Sequence, residues 1–266
     1  MGIIANTIKN NFGKWTNPKF YTLLRLIVNA IGKNPHKTGT IKISGFKIIY
    51  NDAKALIGMY NEIIYQEHYK FIPSVKEPII IDCGANIGIS VLYFQQIVPE
   101  AKIIAIEADP DVAEILQKNL VANNCQAEII QKAAWSSNGE LLSFGKAGGD
   151  SGSIYSLENV TQVETVRLKD ILDSFDEIEL LKIDIEGAEI EVVKDCCNSF
   201  SKVNKIFIEF HSFPGKPQCL DELLKILSDQ GFRYKILPAR KMSQPFMHYD
   251  KDELMDLQLN IFFYRI

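Results

Sequence analysis

Two groups of residues in this 266-residue chain have types and spacings suited to chemistry. The first is Asp82-Cys83-Gly84-Ala85-Asn86-Ile87-Gly88, which joins an apolar run to a segment of helical period. Its glycines let backbone amides approach a ligand closely, and the helix N-terminus adds partial positive charge. Downstream, Glu107 ends the next apolar run, where a carboxylate can accept both hydroxyls of a ribose. Loop, helix and acid together predict a nucleoside-containing cofactor. The dinucleotide fingerprint G-x-G-x-x-G fails, because Asn86 and Ile89 occupy its second and third glycine positions. The Gly-Lys-Ser/Thr of a P-loop is absent from this turn as well.

The second group is Asp184, Glu186, Glu209 and His211, at the ends of two later apolar runs. In an open α/β sheet the site lies beyond the carboxyl ends of the strands, which gathers these four with Asp82 and Glu107 around one crevice. Acids beside an imidazole can activate a poor nucleophile such as an aliphatic hydroxyl. In one route His211, Glu209 or Asp184 takes the proton as general base. In the other, Asp184, Glu209 and His211 hold a divalent cation such as Mg²⁺ that polarises the acceptor. The base route is preferred, since no dense ligand cluster is readable. Lys182 shares its strand face with Asp184. A lysine in a central strand needs a charged partner, and Glu209 is the one expected. Glu189 is expected only to complement the dipole of the helix it opens.

The elements that must position these groups follow from period and punctuation. From Pro78 onward strand and helix alternate, which predicts a mostly parallel sheet covered on both faces. Strands are expected at Ile79–Asp82, Lys102–Glu107, Glu128–Trp135, Leu180–Ile185 and Lys205–Phe210. Helices are expected at Ile89–Gln96, from Asp109-Pro110 to Asn123, from Ala188 to Cys196, and from Leu220 to Gln230. Phe232–Leu237 and Leu259–Arg265 lack a helical segment between them and predict a final antiparallel pair, closing a seven-stranded sheet. Upstream, Phe20–Ile31 has helical spacing with Phe20, Leu23, Leu24, Ile27, Val28 and Ile31 on one face. Ile41–Tyr50 predicts two short strands around Ser44-Gly45, and Asp52 caps a helix running to Gln66.

Four segments together resemble the successive motifs of the FkbM family of S-adenosylmethionine (SAM)-dependent methyltransferases. They are IIIDCGANIGIS at 79–90, TVRLKDIL at 165–172, LLKIDIEGAE at 180–189 and IEFH at 208–211. The resemblance covers roughly residues 60–266, and the K-I-D-x-E-G-A-E block is its most specific part. It implies a Rossmann-like class I methyltransferase fold and transfer to hydroxyls of sugars, glycans or polyketide-type metabolites, with S-adenosylhomocysteine (SAH) as product. SAM lacks a pyrophosphate, so the loop must cradle an amino-acid tail. Asp82 is expected to attract its ammonium, while Ser90 and amides of Gly84, Asn86 and Gly88 reach its carboxylate. Glu107 then takes the ribose, and Ala108, Ala133, Ala134 and Trp135 wall the adenine. Glu186, Tyr69, Asp150 and His248 are expected to face the acceptor. Gly145–Ser153 reads as a flexible polar loop, a lid or a solvent loop, and Pro238–Gln258, with Arg240, Lys241, Phe246, His248 and Tyr249, as a connection that either lines a sugar-binding acceptor pocket or runs over the surface.

Composition bounds the alternatives. With 47% hydrophobic and 23% charged residues, the chain can bury a full core. Five cysteines, with no C-x-x-C pair, argue against a disulfide framework or structural zinc and for a reducing cytoplasm. The net charge of −4 conceals a basic arm: residues 1–51 hold eight Lys and Arg and no acid. Residues 1–70 are read as a basic helical and hairpin extension, a lid or docking element, and 71–266 as the methyltransferase domain. The extension's helix is expected to pack on the main domain, with peripheral contact to an anionic membrane as the sharper alternative. An acidic main domain speaks against a nucleic-acid substrate. Base N-methylation is the runner-up function, weakened because Asp184-Ile185-Glu186-Gly187 stands where D/N-P-P-Y/F is expected. A non-catalytic binding module on the same fold is the third reading.

Overall fold

The structure, a computed structural model, describes residues 17–30, 38–147, 151–153, 160–239 and 255–266. Its centre is a seven-stranded sheet. The strands are β3 (Ile79–Cys83), β4 (Lys102–Ile106), β5 (Glu128–Ile130), β10 (Ile178–Ile183), β11 (Val203–Ser212), β12 (Arg233–Pro238) and β13 (Leu257–Tyr264). They lie in the order β12-β13-β11-β10-β3-β4-β5. Neighbours pair in parallel from β11 to β5, while β13 runs antiparallel to both β11 and β12. The expected seven-stranded, mostly parallel α/β sheet with a C-terminal antiparallel pair is therefore present. All six residues of β10 are buried, as a strand covered on both faces by helices requires.

The covering helices start where local chemistry dictates. Asp109 caps α4 (Pro110–Ala122) by accepting from Asp111 N at 2.9 Å and Val112 N at 3.4 Å, with Pro110 in the first turn. Gly88 opens α3 (Ile89–Ile97) in the left-handed conformation, φ 87°. Helices α5 (Leu168–Asp173), α6 (Glu189–Asp195) and α7 (Leu220–Asp229) complete the layers.

Strand three departs from expectation. Glu128–Trp135 splits at Gln131-Lys132: β5 stays in the main sheet, while β6 (Ala133–Trp135) leaves it to pair in parallel with β9 (Thr161–Arg167). A second sheet, ordered β6-β9-β7-β8, results. Its strand β7 (Leu141–Ala147) pairs antiparallel with β9 and with β8 (Ser151–Ser153). The segment expected as a loop from Gly145 to Ser153 thus carries a strand pairing, Gly145 opposite Ser153. Residues 148–150, Asp150 included, and His248 lie outside the described residues.

The N-terminal elements share the core. A hairpin of β1 (Gly39–Ile43) and β2 (Phe46–Tyr50) packs Ile43 and Ile48 into the same hydrophobic cluster as Ile80, Ile89 and Leu116. Two asparagines of the α4 region hold it by imitating a strand edge. Asn119 Oδ1 accepts from Ile49 N at 2.7 Å, and its Nδ2 donates to Ile49 O at 2.9 Å and Ile87 O at 2.8 Å. Asn123 repeats the exchange with Lys47 N and O, both at 2.8 Å. Asp52 caps α2 (Ala53–Met59) as expected, accepting from Lys54 N and Ala55 N. The helix then widens into a π-helix at Tyr60–Tyr65 rather than continuing as α. The wider turn carries Tyr60, Ile63 and Ile64 into the core.

Helix α1 (Pro18–Ala30) packs through Leu23 and Leu26. Ile27 and Val28, expected on the packed face, are exposed, Val28 at 64%. Lys19 Nζ donates to Glu67 Oε1 at 2.8 Å, joining the helix to the segment after the π-helix. Among the described residues, no helix is long and apolar enough to cross a membrane.

Candidate active site

A cavity of about 540 Å³ opens at the carboxyl ends of β3, β4 and β10. The turn after β3 forms its floor. Gly84 has φ 80°, and a Cβ there would sit 1.8 Å from the backbone oxygen of Asp184. Only glycine lets the turn pass so close to the end of β10. The amides of Gly84 and Ala85 both donate to Ile106 O, at 2.9 and 3.0 Å, which ties the turn to β4. Asn86 takes the left-handed conformation, φ 49°, which asparagine tolerates better than most residues.

Glu107 closes this side of the cavity. Its carboxylate accepts from Asn86 N at 2.8 Å and Asp109 N at 2.9 Å, so the acid at the end of β4 also shapes the loop after β3. Burial pushes its pKa up to about 7 against the pull of those two amides.

Lys182 finds a different partner from the one expected. Its Nζ lies 3.0 Å from Asp82 Oδ1 and 3.4 Å from Asp184 Oδ2, and donates to Gly84 O at 3.0 Å. Parallel pairing sets Lys182 directly beside Asp82, whereas Glu209 stands on β11, on the other side of β10. Burial works against the ammonium's charge, but Asp82 and then Asp184 hold the pKa above the ordinary lysine value. Ser90 Oγ donates to the second oxygen of Asp82 at 2.5 Å. Asp82 and Ser90, expected to meet the cofactor's tail, therefore bind each other behind the turn and do not line the cavity.

Beyond Asp184 the chain makes a tight turn, with Glu186 at φ 55° and Gly187 at φ 106°. Glu189 folds back over it: its carboxylate accepts from Gly187 N at 3.1 Å and Ile185 N at 3.2 Å. The same Oε1 lies 2.9 Å from His211 Nδ1. Sequence reasoning missed this role, because a helix dipole sufficed to explain an acid there. His211 is completely buried, with Nε2 facing Glu186 Oε2 at 3.6 Å and Glu209 Oε1 at 3.8 Å. Burial favours the neutral ring, yet Glu189, Glu186 and Glu209 outweigh it and raise the pKa well above the ordinary histidine value. With Nδ1 engaged by Glu189, Nε2 is the nitrogen that could serve in the general-base role expected of the ring. Glu209 accepts from Gln258 Nε2 at 2.5 Å, and burial and Asp184 keep its carboxyl well above the usual range.

The cavity brings together Gly84, Asn86, Glu107, Ala108, Ala134, Asp184 and Glu186, with Ala133 and Trp135 beside them. Gly88 stands behind the loop, where a Cβ would meet Leu116. Glu209 and His211 form a second rank behind Asp184 and Glu186 and are not part of the cavity wall. Tyr69, expected to face the acceptor, is buried against Phe207 and Phe94, and its hydroxyl reaches Glu62 Oε1 at 3.4 Å. Thr38, Asn51 and Leu142 also line the cavity. Those three come from the hairpin's flanks and the second sheet, and no local motif announced them.

Comparison with known proteins decides the family. The pattern of the Methyltransferase FkbM domain matches residues 82–234. The chain belongs to the FkbM methyltransferase family. As an FkbM protein it is a SAM-dependent methyltransferase on a Rossmann-like fold. The methyltransferase sdnD of Sordaria araneosa is 27% identical over 242 residues, covering 76% of this chain and 91% of that protein. The 2-O-methyltransferase NoeI of Sinorhizobium fredii is 27% identical over 156 residues, covering 50% of this chain and 63% of that one. A solved structure from Pyrococcus horikoshii shares the fold at 13% identity, with a TM-score of 0.50 over 87% of this chain and 73% of that one.

Proposed function

We propose that this FkbM protein transfers the methyl group of SAM to a hydroxyl of a sugar, glycan or polyketide-type metabolite. The observation that carries this reading is the continuity of one cavity from Gly84, Asn86 and Glu107 to Asp184 and Glu186. One end suits a nucleoside, and the other presents acids to an incoming hydroxyl. The similarity to NoeI, a 2-O-methyltransferase, supports the same choice.

In this reading Glu107 accepts the ribose hydroxyls, Ala108 and Ala134 wall the adenine, and turn amides around Gly84 and Asn86 meet the amino-acid tail. Asp82, Gly88 and Ser90 act from behind by fixing the turn. Bound SAM would supply an electrophilic methyl group, the acceptor's O–C bond forming as the S–C bond breaks and SAH being left as the neutral thioether. The hydroxyl proton passes to the acids at the end of β10, Asp184 and Glu186, while His211 and Glu209 position them. Alignment of the reacting atoms supplies much of the rate.

The test is to incubate the full chain with SAM and a panel of hydroxylated sugars, detecting SAH and methylated product by mass spectrometry. Asp184→Asn should lower turnover by about 100-fold or more while SAH affinity is kept. A fully active Asp184→Asn, or transfer confined to amine nitrogens, would overturn the proposal.

A further inference from the structure

We propose that Asp184, Glu186 and His211 bind a divalent first-row transition-metal ion, with Glu189 as the outer partner that orients the imidazole. One ligand atom from each of the three residues can be chosen so that all lie within 4.8 Å of one another. That spacing suits ligands converging on a single cation. Two of the residues, Asp184 and Glu186, line the cavity, so the ion would sit at its acceptor end.

The independent observation is the imidazole. The His211 side chain is fully buried, yet Nε2 lacks a short hydrogen bond. Its nearest polar neighbour is the amide nitrogen of Gln258 at 3.5 Å, and that nitrogen is already engaged to Glu209 at 2.5 Å. Nδ1, by contrast, is held firmly by Glu189 at 2.9 Å. A carboxylate at 2.9 Å holds one ring nitrogen, while the other has only longer contacts, 3.5 Å to Gln258, 3.6 Å to Glu186 and 3.8 Å to Glu209; a short carboxylate bond at one nitrogen is what fixes tautomer and direction in metal-binding histidines. Charge points the same way. Glu186, Glu189 and Glu209 all face the one imidazole, and Lys182 is shared between Asp82 and Asp184.

The ligand set also selects the metal. Mg²⁺ takes oxygen ligands and keeps its waters, whereas an imidazole with two carboxylates suits Mn²⁺, Co²⁺ or Zn²⁺. This proposal differs from the alternative weighed from sequence, Mg²⁺ on Asp184, Glu209 and His211, in the ion and in taking Glu186 in place of Glu209. Use of the ion to polarise the acceptor hydroxyl rests on the O-methyl transfer reading above, but its binding does not. Metal uptake and turnover thus report separately.

The experiment is titration of the metal-free full chain with Mn²⁺, followed by calorimetry and by loss of the free-ion paramagnetic resonance signal. One saturable site is expected, with Mg²⁺ weaker by at least about tenfold. Glu186→Gln and His211→Gln should abolish the site, and Glu189→Gln should weaken it by roughly 10- to 100-fold. Retained SAH binding in each variant shows that it is folded. Should the variants not fold, spin-echo modulation of wild-type Mn²⁺ must still show an imidazole nitrogen in the coordination sphere. Absence of saturable uptake by folded wild type overturns the proposal, as does uptake without imidazole nitrogen. Binding of an amine-bearing acceptor that Mn²⁺ cannot displace would assign the same acids to an ammonium group and overturn it too.

Discussion

Replacing Lys182 tests how the two strand ends that carry the site are held together. Its side chain is 3% exposed and that of Asp82 is fully buried, with Nζ and Oδ1 3.0 Å apart. Lys182→Met keeps the side chain's length but leaves a buried carboxylate whose one remaining hydrogen-bond donor is Ser90. Breaking a buried pair from one side costs about 3–5 kcal/mol. Asp82→Asn should be milder, at about 1–3 kcal/mol, because Lys182 keeps Asp184 at 3.4 Å and the carbonyl of Gly84 at 3.0 Å. The double variant carries no unpaired buried charge, so its loss should fall short of the sum by roughly 1–3 kcal/mol. Urea unfolding at equilibrium, with m-values compared, measures all three. A Lys182→Met variant within about 1 kcal/mol of wild type, or an Asp82→Asn variant less stable than Lys182→Met, would refute this role of the pair.

Three further outcomes follow from the same geometry. Gly84→Ala must accommodate a Cβ 1.8 Å from Asp184 O at φ 80°, so a loss of about 3 kcal/mol or more is expected; a thermal melt equal to wild type would contradict it. Glu107, with its pKa near 7, binds ribose hydroxyls best when ionised, so SAM affinity should be level above pH 8. It should then fall toward about tenfold per unit below pH 7, a slope that calorimetry should find missing in Glu107→Gln. Asn119→Ala removes three hydrogen bonds between α4, the hairpin and the turn, at about 2–3 kcal/mol; unchanged stability and unchanged protease resistance at residues 38–50 would show that the staple contributes nothing.

The parts of the fold legible in sequence are those written locally. Continuous apolar runs marked β3, β4, β10 and β11, and Asp109-Pro110 marked the start of α4. Glu107 is expected at the end of its strand and lies there on the cavity wall, while its bonds to the amides of Asn86 and Asp109 join two loops that no local pattern links. Lys182 shows where local reading stops. Its need for a charged partner was plain, but the partner follows from β10 lying beside β3 with Lys182 opposite Asp82, and strand order is not a periodicity. Glu189 was missed for a similar reason: its bond to His211 joins two elements that only the folded sheet brings together. β6 and β8 have three residues each, too few to carry a pattern. The π-helix at Tyr60–Tyr65 keeps the apolar composition of the helix before it while changing its hydrogen bonds.

The most direct test of the account is calorimetric titration of the folded chain with SAM and SAH, for wild type and Glu107→Ala. One-to-one saturable binding of both ligands by wild type is expected, weakened about tenfold or more in the variant, as loss of charge-assisted hydrogen bonds to ribose requires. Folded wild type that binds neither ligand, or a variant that binds as well as wild type, would contradict it.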